Sequence, residues 1–132
     1  MIPQLSTLDH LVLTVADIPS TLTFYADVLS MVPTPFIVAD GSTRHALCFG
    51  NMKINLHQAG AEFEPKAQNV KAGSADLCFL SQTPLSEWQA HLTERGVEIE
   101  IGPVHRTGAT GPIVSVYIRD PDGNLIEISN PD

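Results

Sequence analysis

Residues 8–19 read LDHLVLTVADIP. Leu11, Leu13 and Val15 alternate with His10, Val12 and Thr14, a period of two that sends neighbouring side chains to opposite faces of a β-strand. Asp17, Ile18 and Pro19 follow as a helix start. Proline is tolerated in a first turn, where its missing N–H has no intrahelical partner to lose. The plan returns 66 residues later. Residues 75–80 (ADLCFL) form a second strand, and Thr83-Pro84 a second helix start with Thr83 as the expected N-cap. His10 and Asp76 hold equivalent places in this repeat, as do Asp17 and Thr83.

The rest of the chain extends the repeat on both sides. Leu22, Tyr25, Val28 and Leu29 make an apolar stripe at helical spacing. Strand-like runs follow at about residues 35–39, 46–49 and 52–57, with Asp40-Gly41 and Gly50-Asn51 as turns. In the second half Leu85, Trp88 and Leu92 form the stripe, and Gly96 ends the helix. Runs at 97–101, 113–119 and 124–129 are strands, with Asp120-Pro121-Asp122-Gly123 turning between the last two. Each half therefore reads βαβββ, at about residues 8–58 and 75–130 of one domain spanning residues 1–132. Residues 58–74 join the halves as a linker or lid.

Composition bounds the function. With 43% hydrophobic and 17% charged residues, a chain of 132 can bury a core without disulfide or metal staples. Fifteen Asp+Glu against 7 Lys+Arg leave a net charge of −8. That charge repels phosphate backbones and anionic lipid, so no nucleic acid and no membrane surface is expected as a partner. No apolar run approaches the roughly 20 residues of a membrane span, and no signal peptide is visible. Cys48 and Cys78 stand far apart in apolar runs with no C-x-x-C pair, as small hydrophobes of a reducing, cytoplasmic setting do.

Alternation also says what the sheet faces carry. Residues 52–57 divide into Met52, Ile54 and Leu56 against Lys53, Asn55 and His57. Residues 124–129 divide into Ile126 and Ile128 against Leu125, Glu127 and Ser129. Two helices cover only one face of such sheets, so the other face meets solvent or curls into a polar pocket. His10, His57, Asp76 and Glu127 all fall on that other class of face. Each has a plain structural explanation taken singly. Together, two imidazoles and one or two carboxylates make a donor set suited to Zn²⁺, Ni²⁺, Fe²⁺, Mn²⁺ or Co²⁺.

Residues 8–17 (LDHLVLTVAD), the Phe24-Tyr25 helix and residues 119–128 (RDPDGNLIEI) resemble the vicinal oxygen chelate superfamily, which spans glyoxalase I, fosfomycin- and bleomycin-resistance proteins and extradiol dioxygenases. Residues 53–57 (KINLH), 62–67 (EFEPKA), 73–77 (GSADL), Gly102-Pro103-Val104 and residues 106–109 (RTGA) are most similar to its glyoxalase-domain-containing and virulence-associated branch. The resemblance implies an α+β fold of two tandem βαβββ modules, with curled mixed sheets forming a cleft and the helices on the outer face. It also implies a divalent metal ion. His10 matches the first-strand ligand and Glu127 the eighth-strand carboxylate. The fifth-strand position, often histidine in the family, is Asp76, which stands as a fourth ligand or base. The fourth-strand carboxylate position falls on Asn55, with His57 two residues on and facing the same side as the second imidazole.

By the same resemblance the partners are a small-molecule substrate and a second copy of the chain. In such a homodimer His10 and His57 of one subunit meet Asp76 and Glu127 of the other. The chemistry implied is a glyoxalase I-like lyase or isomerase reaction on a 2-oxoaldehyde-type substrate, with Glu127 or Asp76 moving the proton. Arg106, within the glycine-rich residues 102–111, is read as lying on a mobile loop, where it could meet an anionic substrate group. Two alternatives stand beside this reading. One is an extradiol ring-cleaving dioxygenase using His10, His57 and Glu127. The other is a non-catalytic binding module of the bleomycin-resistance type.

Overall fold

The computed structural model describes residues 1–132, which divide into two compact units, Met1–Lys71 and Ala72–Asp132. In the first unit β1 (His10–Val15) leads into α1 (Ile18–Asp27), then β2 (Val32–Pro33), β3 (Phe36–Ile37), β4 (Thr43–Phe49) and β5 (Met52–Gln58). The sheet order is β1-β5-β4-β2, with β3 also paired to β4. β1 and β5 run parallel and the other pairs antiparallel. The second unit repeats this with β6 (Asp76–Leu80), α2 (Leu85–Glu94), β7 (Ile101–Thr107), β8 (Pro112–Arg119) and β9 (Leu125–Pro131), in the order β6-β9-β8-β7. Again the first and last strands are parallel. These are the mixed, open sheets that two tandem βαβββ modules require.

Each helix covers the apolar face of its own sheet. Leu13, Val15, Leu47, Ile54 and Leu56 are buried in the first unit, and Val116, Ile118, Ile126 and Ile128 in the second. On α1 the buried positions are Thr21 and Tyr25, followed by Val28 at the C-cap, so the stripe begins one residue earlier than the leucine at 22 suggests. Asp17 caps α1 as expected, accepting from the Ser20 N–H at 3.0 Å.

The second helix is capped differently. Thr83 makes no capping bond; Pro84 precedes the helix, and the Leu85 N–H donates to Oδ1 of Asn130 on β9 at 2.8 Å. The amide of Asn130 also donates to the carbonyls of Ser81 and Thr83, at 2.9 and 2.8 Å. A side chain 45 residues away thus does the work expected of Thr83.

The strand expected at 97–101 is also displaced. Val97 and Ile99 are half-buried beside exposed Glu98 and Glu100, which gives the alternation, but only Glu100 bonds across, to the Tyr117 carbonyl at 2.8 Å. The ladder itself is β7, whose register with β8 shifts between Ile101 and Val104. β7 is an edge strand of mostly exposed residues whose apolar and polar side chains do not alternate, so no period announces it. The supposed loop around Arg106 is therefore paired backbone, with Arg106 opposite Ile113.

The turn between β8 and β9 is tied down by Asp120 and Asn124. Oδ1 of Asp120 accepts from the N–H groups of Asp122 and Asn124, both at 2.9 Å, and its Oδ2 accepts from the Asn124 amide at 2.7 Å. Oδ1 of Asn124, fully buried, accepts from the Ala75 N–H at 2.8 Å. These bonds fix where β6 and β9 begin, and so set the rungs on which Asp76 and Glu127 stand.

Candidate functional site

In the first unit the face opposite α1 carries His10, Val12 and Thr14 from β1 and Lys53, Asn55 and His57 from β5. His10 is largely exposed, and its Nδ1 meets Oδ2 of Asp9 at 2.8 Å. A carboxylate on one ring nitrogen leaves Nε2 as the other donor atom, the pairing found behind metal-bound imidazoles. His57 stands elsewhere. In the parallel ladder His10 is level with Lys53, and His57 with Thr14. Four rungs separate the two histidines, about 13 Å along the strands at the usual rise per residue. Asn55 lies between them, level with Val12.

His57 is only 8% exposed, and neither its Nδ1 nor Oδ1 of Asn55 has a hydrogen-bond partner. Its ring meets Phe63 edge-on with centroids 5.5 Å apart, and the Arg44 guanidinium lies 3.3 Å over the Phe63 ring. Burial, and secondarily the Arg44 charge, hold the His57 imidazole below its ordinary pKa, with Glu62 opposing. The segment read as linker or lid folds over this histidine. Together with Val12 and Thr14, residues Pro65, Lys66 and Val70 line a cavity of about 270 Å³ against His57. The Lys66 ammonium is paired with Glu64.

In the second unit the face opposite α2 carries Glu127. Ser115 Oγ donates to its Oε2 at 2.5 Å, and Ser129 Oγ lies 3.4 Å from the same oxygen. The two serine hydroxyls are 2.7 Å apart and both residues are fully buried. Both hydroxyls act on Oε2, leaving Oε1 outside this pair of bonds. Cys78 is the direct cross-strand neighbour of Glu127, with its Sγ 3.3 Å from Ser129 Oγ. Desolvation pushes the Cys78 thiol up, with the Glu127 and Asp76 charges adding and the Ser129 bond opposing, so it is no thiolate at neutral pH. Asp76 is exposed and level with Leu125, two rungs from Glu127, about 7 Å along the strands. Arg106 lies toward the same face. Its Nε donates to the Tyr117 hydroxyl at 3.0 Å, its Nη1 to the His105 carbonyl at 3.0 Å, and Tyr117 is level with Glu127.

The expected residues therefore fall into separate places. His10 and His57 share a face but not a rung, and Asp76 and Glu127 share a face two rungs apart. Within either unit no three His, Cys, Asp or Glu side chains converge on a point that could hold a metal. His10, with its Asp9 partner, fits a ligand's part, and so does Glu127 with its oriented carboxylate. His57 does not join His10. Sequence reading placed Ser129 on the face of Glu127 without giving it a role, and singled out none of Ser115, Lys66 and Phe63. Ser115 could have been found, since it alternates onto the same face as Glu127. Lys66 and Phe63 lie in an irregular segment with no period to read.

Residues 7–128 match the Glyoxalase/Bleomycin resistance protein/Dioxygenase superfamily. The chain is 55% identical over 122 residues to Virulence protein STM3117 of Salmonella typhimurium, covering 92% of this chain and 82% of that one. It is 52% identical over 124 residues to Glyoxalase domain-containing protein RDO1 of Mycosarcoma maydis, covering 94% and 68%. A solved structure from the mobile metagenome of V. Pseudocholerae superposes with a TM-score of 0.94 at 57% identity, over 100% of this chain and 99% of that one.

Proposed function

The chain belongs to the Glyoxalase/Bleomycin resistance protein/Dioxygenase superfamily, and from that premise we propose that it is a metal-dependent, glyoxalase-like lyase or isomerase acting on a small oxygenated substrate. The observation that carries this reading is Glu127. Two buried serine hydroxyls orient its carboxylate on a polar sheet face, with one oxygen outside their bonds. A carboxylate so held is suited to take a proton from a carbon beside a carbonyl and return it to the neighbouring carbon. Asp76, two rungs away, is the second proton carrier. Arg106, steadied by Tyr117, is the contact for a substrate oxygen.

His10 and Glu127 are the proposed ligands of a divalent ion, Ni²⁺, Zn²⁺, Mn²⁺, Fe²⁺ or Co²⁺. Such an ion supplies Lewis-acid polarisation of a carbonyl oxygen. His57 is left out of the ligand set because four rungs separate it from His10. The same separation weighs against the dioxygenase alternative, which needs two imidazoles on one iron. We read the protein as cytoplasmic from its two unpaired cysteines, and as a homodimer by resemblance to its family.

A second reading, a metal-free small-molecule binding module, is favoured by the lack of three convergent donors within either unit. Elemental analysis after dialysis against each metal separates the two. The enzyme reading expects about one divalent ion per chain in wild type and none in His10→Ala or Glu127→Gln. Equal metal in wild type and His10→Ala, or none in wild type, rejects it.

A further inference from the structure

We propose that the cavity between β1, β5 and residues 63–70 is a carboxylate subsite, which takes the acid group of a short organic acid with an apolar body. This rests on the proposed function, in which His10 of the same sheet face is a metal ligand, and it names the class of substrate. The cavity is about 270 Å³, which at ~30 Å³ per water is room for roughly nine waters, or a ligand of similar heavy-atom count. Its walls divide by chemistry. Val12, Pro65 and Val70 are apolar, and the Thr14 hydroxyl, the Lys66 ammonium and the His57 imidazole are polar.

All three polar groups can donate. Lys66 can only donate. For His57 the buried environment decides the tautomer. Its Nδ1 has no partner, and an orphaned buried N–H costs more than an orphaned lone pair, so the proton belongs on Nε2. A neutral imidazole is the stable form there, since burial and Arg44 oppose its protonation. A lysine ammonium, a hydroxyl and an imidazole N–H around one cavity suit an oxygen-rich anion, and the apolar wall suits one with a hydrocarbon body. Glu64 now holds the Lys66 ammonium from an exposed position. A ligand carboxylate would take that place from inside.

The test is an NMR titration of the full-length chain after metal removal, with succinate, its uncharged diamide succinamide, and inorganic phosphate. Succinate is expected to move the signals of Val12, Thr14 and Val70 and to saturate, with succinamide and phosphate each at least tenfold weaker. Lys66→Met and Thr14→Val should each raise the succinate dissociation constant at least tenfold, and Lys66→Arg should recover most of the loss. Unchanged succinate binding in Lys66→Met, equal binding of succinamide, or signals moving at Arg106 and Tyr117 instead would overturn the subsite. His10→Ala keeps the two readings apart. It should bind succinate as wild type does, even where the metal-content experiment rejects the enzyme.

Discussion

Asp120 is the residue whose chemistry the fold uses most fully. Its two carboxylate oxygens accept three hydrogen bonds from Asp122 and Asn124, and it is 6% exposed. Bonds to a charged acceptor contribute about 1.5–3 kcal/mol each and are not additive, so Asp120→Ala should cost on the order of 3 kcal/mol in urea unfolding. A loss below about 1 kcal/mol would show that the turn holds without them. His57 sets a pH dependence of stability. Its native pKa lies below the ordinary 6.5, so on acidification the unfolded chain takes up a proton that the native chain refuses. Stability is then level above pH 6.5 and falls as the pH drops below that value toward the native pKa. Urea midpoints between about pH 7 and 5 should decline in wild type and decline less in His57→Gln. Parallel curves would remove His57 as the cause.

Among the elements, the helices were legible and their long-range supports were not. Asp17 caps α1 from three residues away, which local sequence can announce. Asn130 caps α2 from 45 residues away, which it cannot. Asn130→Ala removes the acceptor for the Leu85 N–H and the donor to two carbonyls, so it should cost about 1–2 kcal/mol, while Thr83→Ala costs less than about 0.5. Hydrogen exchange at the first turn of α2 reads the difference directly, and equal protection in the two variants would refute it. β7 teaches the same lesson for strands. Alternation at 97–101 signals half-burial, whereas the paired strand is an exposed edge whose side chains carry no period. Gly73 shows what fixes the approach to β6. It has φ +81°, and a Cβ added there would lie 2.4 Å from the Asp122 carbonyl oxygen. Both the conformation and the contact exclude a side chain, so Gly73→Ala should lower the melting temperature by several degrees, on the order of 1–3 kcal/mol.

For the whole molecule, the repeat at an offset of 66 residues foretold two βαβββ modules, and the structure adds that the first and last strands of each run parallel. The repeat also assigned His10, His57, Asp76 and Glu127 to the polar faces, and each does lie there. It could not assign rungs. Side-chain alternation repeats every two residues and is blind to position along the strand, so His10 and His57 looked alike in sequence although four register steps divide them. Register comes from turns and tertiary bonds such as those of Asp120 and Asn124, which no periodicity encodes. If His10 and Glu127 hold a metal and His57 does not, metal should stabilise the fold through the first two alone. At a free metal concentration one hundred times the dissociation constant, linkage adds about 2.7 kcal/mol. For a chain of this length that is a rise in melting temperature of roughly 10 °C. The rise should vanish in His10→Ala and Glu127→Gln and persist in His57→Gln, as read by calorimetry with and without chelator. A rise lost in His57→Gln but kept in His10→Ala would move the metal to the cavity under residues 63–70. A ligand carboxylate there would then be held by the metal rather than by an imidazole N–H, and Lys66→Met would no longer weaken it tenfold.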